Sequence, residues 1–64
     1  MKAAVADYVR RVVDEEGLKG SFVGKRFVWS LYDELEEQGI KTSVDEVISA
    51  LRRAGVDVAW EWEG

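Results

Sequence analysis

A chain of 64 residues with a formal net charge of -4 and no cysteine, histidine or proline excludes a disulfide framework, a thiolate metal site and any chemistry that turns on imidazole. One domain, spanning 1–64, is all that this length allows, and folding at this size buries only about 60% of the surface that the unfolded chain exposes. Hydrophobic residues at 47% and charged residues at 34% predict a folded, soluble, cytoplasmic protein, and no apolar run is long enough for a membrane span.

In the first segment Val5, Tyr8, Val9, Val12 and Val13 recur at helical spacing between Asp7, Arg10, Arg11 and Asp14, which predicts an amphipathic helix over 3–16. It stops at Gly17. With Gly17 left-handed just past the helix, Leu18 reaches back to Val13, the contact of a Schellman ending. The same arithmetic pairs Ile40 with Leu35 across Gly39, and Val56 with Leu51 across Gly55. Three matched endings predict three helices.

Gly20-Ser21-Phe22-Val23 reads as a short strand over 20–23. The stretch Gly20 to Arg26 invites comparison with a phosphate-cradling loop, but it is one residue short and carries Arg26 where a magnesium-binding hydroxyl is required. What survives is a weaker anion site, with Lys25 and Arg26 opening a helix whose free N–H groups attract phosphate.

The second helix is expected over 24–38, with Phe27, Val28, Leu31, Tyr32 and Leu35 on its buried face and Trp29 outside that arc. The third is expected over 43–54: Ser43-Val44-Asp45-Glu46 has capping-box spacing, and Val44, Val47, Ile48 and Leu51 form the apolar stripe. Its outward face carries Asp45, Glu46, Ser49, Arg52 and Arg53. After Gly55 the period changes to two, with Val56, Val58, Trp60 and Trp62 alternating with Asp57, Ala59, Glu61 and Glu63, which predicts a half-buried strand over 56–62. The fold class is therefore α+β: a three-helix core with a small two-stranded antiparallel sheet, in the order α-β-α-α-β.

The carboxylate pairs Glu15/Glu16, Asp33/Glu34, Glu36/Glu37 and Asp45/Glu46 fall on polar helix faces rather than in a pocket that would separate their pKa values. No catalytic residue, metal site or cofactor is expected, and the chain is read as a non-enzyme. Two binding readings remain. If the third helix enters a DNA groove, Ser49, Arg52 and Arg53, with Lys41, form the reading face, and Lys25 and Arg26 offer a further phosphate contact. Trp60 and Trp62 either roof the core or join Trp29, the better candidate, as protein-contact anchors, since tryptophan is over-represented among binding hot spots; in that second reading a free strand edge also recruits a second copy or another protein. The acidic overall charge favours the protein partner.

The order of elements, together with Leu31-Tyr32-Asp33-Glu34-Leu35 through Gly39-Ile40 and Thr42-Ser43 through Gly55-Val56, resembles a winged helix-turn-helix domain. The resemblance implies that the third helix is a recognition element with Ser49, Arg52 and Arg53 exposed on it, and that the protein is a DNA-binding or transcription-associated module working as a dimer. It departs from that pattern in having one strand after the third helix in place of a wing hairpin. Three near-identical glycine endings and a clean capping box are also what an idealised sequence without an evolved role contains.

Overall fold

A computed structural model of the chain describes residues 2–60 and contains three helices, α1 (Ala3–Glu16), α2 (Lys25–Glu37) and α3 (Val44–Arg53), and two strands, β1 (Phe22–Val23) and β2 (Asp57–Val58). The mixed α+β class and the element order match the reading of the sequence. Trp62 and the end of the strand expected over 56–62 lie outside the described residues.

The three glycine endings form as the spacing requires. Leu18 N–H reaches Val13 C=O at 3.0 Å, Ile40 N–H reaches Leu35 C=O at 2.9 Å and Val56 N–H reaches Leu51 C=O at 3.0 Å. Gly17, Gly39 and Gly55 carry the positive φ that this motif demands. At the start of α3, Ser43 Oγ accepts from Glu46 N–H at 3.2 Å. The Thr42 hydroxyl donates to Glu46 Oε1 at 2.8 Å, so the carboxylate is held by Thr42.

Each helix turns an aliphatic stripe inward. Val5, Val9 and Val13 of α1, Val28, Leu31 and Leu35 of α2, and Val47, Ile48, Ala50 and Leu51 of α3 are buried together with Val56 and Val58. Every member of this core is aliphatic, and the described aromatic residues stand around it: Tyr8, Phe27, Tyr32 and Trp60 are half-buried against the cluster, and Phe22 and Trp29 are exposed. At roughly 1.5 to 3 kcal/mol per buried aliphatic side chain, this cluster is the main force holding the helices. No polar side chain is buried among the described residues.

The sheet corrects one expectation: β1 and β2 pair in parallel, not antiparallel, with Phe22 opposite Asp57 and Val23 opposite Val58. The pairing sense is set where the chain re-enters. Gly55, turning out of α3, presents its carbonyl to Gly20 N–H at 2.8 Å, so both strands start at the same end and run the same way. Asp57 N–H to Ser21 C=O at 3.0 Å and Ala59 N–H to Val23 C=O at 2.8 Å continue the ladder. The connection between the strands contains α2 and α3, ample for the crossover that parallel strands need. Alternation along a strand fixes which residues face the core but leaves the direction of the neighbouring strand open. The inward set is as expected, with Val56 and Val58 buried and Asp57 exposed between them.

Candidate partner-binding surface

Parallel pairing decides what surrounds Trp29. β1 leads directly into α2, so a strand running beside it in the same direction delivers its following residues to the first turns of α2. An antiparallel β2 would carry them the opposite way. Trp60 accordingly lies against α2, with its ring centroid 6.3 Å from that of Trp29 and the two planes at 48°. Lys25 Nζ stands 5.5 Å from the Trp60 centroid. Tyr32, one turn along α2, meets Trp29 edge to face at 5.4 Å and 82°. Pairs of this kind contribute about 0.5 to 1.5 kcal/mol beyond the area they bury.

The sequence places Trp29 off the core arc of α2, and the structure leaves it 46% exposed even with two aromatic neighbours. At 100° per residue, Lys25, Trp29, Tyr32, Asp33 and Glu36 fall along one stripe of the helix. Asp33 and Glu36 are exposed on it, and the Tyr32 hydroxyl donates to Glu36 Oε2 at 3.3 Å. The negative charge of Glu36 holds the Tyr32 phenol above its ordinary pKa, with burial, the hydrogen bond to Glu36 and the charge of Asp33 acting in the same direction. The result is an exposed indole with Asp33 and Glu36 beyond it on the stripe and Lys25 one turn before it.

Among the described residues Phe22 is the most exposed large apolar side chain, at 64%. It sits opposite Asp57 on the outer face of the sheet, whereas Val58 and the half-buried Trp60 lie on the inner side. Phe22 was not singled out from the sequence; the alternation that any strand imposes, placing Phe22 and Val23 on opposite faces, is the signal that could have found it.

The residues expected to contact DNA are dispersed. Lys25 lies over Trp60, and Arg26 is exposed on the first turn of α2. Lys41, in the turn before α3, gives its carbonyl to Lys2 Nζ at 2.6 Å. Arg52 donates to the Val58 carbonyl at 3.3 Å, clipping the end of α3 to β2. Ser49 and Arg53 are exposed and share a depression with Asp45 and Glu46, so carboxylates stand beside the expected reading face.

One cation that the sequence reading left out joins them. Arg10 of α1 lines, with Arg53, an open groove of about 460 Å³ between α1 and α3 whose floor is Ala6, Ala50 and Ala54. The small size of those alanines at helix-facing positions makes the groove. Nothing in the local pattern of α1 distinguishes Arg10 from Arg11, which instead lies 5.6 Å from the Tyr8 ring centroid.

Among the described residues no cluster of three or more acidic, histidine or cysteine side chains is arranged to hold a metal ion, and no helix is long and apolar enough to cross a membrane. Compared with known proteins, the chain matches no family model, no curated protein and no solved structure.

Proposed function

We propose that this chain is a protein-interaction module whose contact surface centres on Trp29. The observation that carries the reading is the exposure of Trp29 while Trp60 and Tyr32 hold its ring in place. A large aromatic anchor fixed by its neighbours loses little side-chain freedom on binding, which is why such residues dominate interface energetics. The overall charge of -4 and the dispersal of the lysines and arginines speak for the same reading, because phosphate neutralisation by clustered cations dominates affinity for nucleic acid.

The test is a capture experiment in which wild-type protein, Trp29→Ala and the double variant Arg52→Ala/Arg53→Ala are each immobilised and the bound proteins are compared by quantitative mass spectrometry, with circular dichroism confirming that each variant is folded. The expected result is a set of proteins lost with Trp29→Ala and retained by the arginine variant. A set indifferent to Trp29→Ala overturns the reading.

A second reading, binding of duplex DNA by α3 in the manner of a winged-helix module, is favoured by one observation: Arg10 and Arg53 line the same groove. Anisotropy of a labelled duplex titrated at several salt concentrations tests it. Binding that weakens with salt and is lost in Arg10→Ala/Arg53→Ala supports this second reading, and no binding at low salt removes it.

A further inference from the structure

Resting on the protein-interaction reading, we infer that the stripe formed by Trp29, Tyr32, Asp33 and Glu36 receives a basic segment of the partner protein, with an arginine side chain laid on the exposed part of the Trp29 ring and its charge held by Asp33 and Glu36. The spacing supports the pose. Asp33 is one turn beyond Trp29, a rise of about 6 Å along the helix and within reach of a guanidinium on the indole, and Glu36, a further turn on, lies on the same stripe and extends the negative charge toward the rest of a basic segment.

The electrostatics supports it as well. Both carboxylates are exposed, and both act on the Tyr32 phenol as a negative field. A cation over an aromatic face gains from the ring quadrupole, and a nearby carboxylate adds charge pairing. The chain already uses this contact internally, with Lys25 over Trp60 and Arg11 over Tyr8. Lys25, one turn before Trp29, lies over Trp60, and on the other side of Trp29 charge complementarity selects against other occupants, because an acidic peptide or a phosphate backbone laid along the stripe meets Asp33, Glu36 and the neighbouring exposed Glu37. Arginine fits better than lysine, since its planar guanidinium stacks on the indole and offers a fork of donors to the carboxylates.

The experiment titrates the full chain into fluorescein-labelled peptides of alternating Arg-Ala, Lys-Ala and Glu-Ala and follows anisotropy, with circular dichroism of every variant. The expected order of affinity is Arg-Ala, then Lys-Ala, with Glu-Ala unbound. Trp29→Ala should weaken Arg-Ala binding about tenfold, and Trp29→Phe should retain part of it. Asp33→Asn/Glu36→Gln should weaken binding and flatten its salt dependence. Asp14→Asn/Glu15→Gln, which removes the same formal charge from α1, should leave binding nearly unchanged. Equal losses in the two charge-removing pairs, an unaffected Trp29→Ala, or a DNA duplex competing for the Trp29-dependent site each overturns the inference. Trp29-dependent capture of proteins together with no binding of Arg-Ala overturns the basic-segment assignment alone and leaves the module reading standing. Loss of both overturns both.

Discussion

The Tyr8 hydroxyl of α1 donates to Glu34 Oε1 of α2 at 2.7 Å, bridging the two helices above the aliphatic core. This hydrogen bond to Glu34 is the largest cause of a raised Tyr8 pKa, followed by burial and the negative charge of Glu34. Because the folded pKa is raised, the stabilisation is present in full below the unfolded tyrosine value and is lost as pH rises through the folded one. Tyr8→Phe should therefore cost about 0.5 kcal/mol near neutrality, a small figure for a solvent-accessible pair, and nothing once tyrosine is ionised. Urea denaturation of both proteins at neutral and strongly alkaline pH measures the difference. Ultraviolet titration of Glu34→Gln should show one tyrosine ionising earlier than in the wild type.

The start of α3 makes the opposite prediction about pH. The Thr42 hydroxyl holds the Glu46 carboxyl below its ordinary value; partial burial opposes this, while the charge of Lys2 and the backbone of Ser43 add to it. A depressed folded pKa gives stability that is present above the unfolded carboxylate value and is lost as pH falls through the folded one. Glu46→Gln should flatten the acid limb of the stability profile, measured as thermal midpoint between neutral and acid pH. Ser43→Ala, which removes the acceptor for Glu46 N–H, should cost about 1 kcal/mol at all pH values.

Gly55 combines a φ of +94° with a close neighbour, since a Cβ added there would lie 3.1 Å from Lys19 Cγ. At Gly17, with φ of +65°, an added Cβ meets nothing within 4 Å. Gly17→Ala should cost about 1 kcal/mol from backbone strain alone, and Gly55→Ala more. Lys19→Ala should recover part of the excess, because the crowding is by a flexible side chain. Chemical denaturation of the two single variants and the double variant gives these values.

Leu51 is fully buried where α3 faces the other helices, and its carbonyl also anchors the turn into β2. Leu51→Ala should cost roughly 3 kcal/mol. Against a total of about 5 kcal/mol for a domain this small, that leaves a shallow transition with a midpoint many degrees lower in a circular dichroism melt.

The local pattern of the sequence determined what local physics controls. Helical spacing from Val5 to Val13 places α1 at the residues observed, the three glycines end the helices through the expected bonds, and Ser43 caps α3. It also put Trp29 outside the core and Val56 and Val58 inside, because side-chain period follows directly from backbone geometry. Only the tertiary structure decided the sense of the strand pair. Direction depends on where Gly55 meets Gly20 after two intervening helices, a distant event that alternation along either strand does not encode. Once the strands run parallel, Trp60 arrives beside Trp29 and Arg52 finds the Val58 carbonyl. The approach of α1 to α3 likewise brought Arg10 to Arg53. The pairs Trp29–Trp60 and Arg10–Arg53 join residues far apart in the chain, and their geometry follows from how the aliphatic stripes pack, which no single segment of the sequence contains.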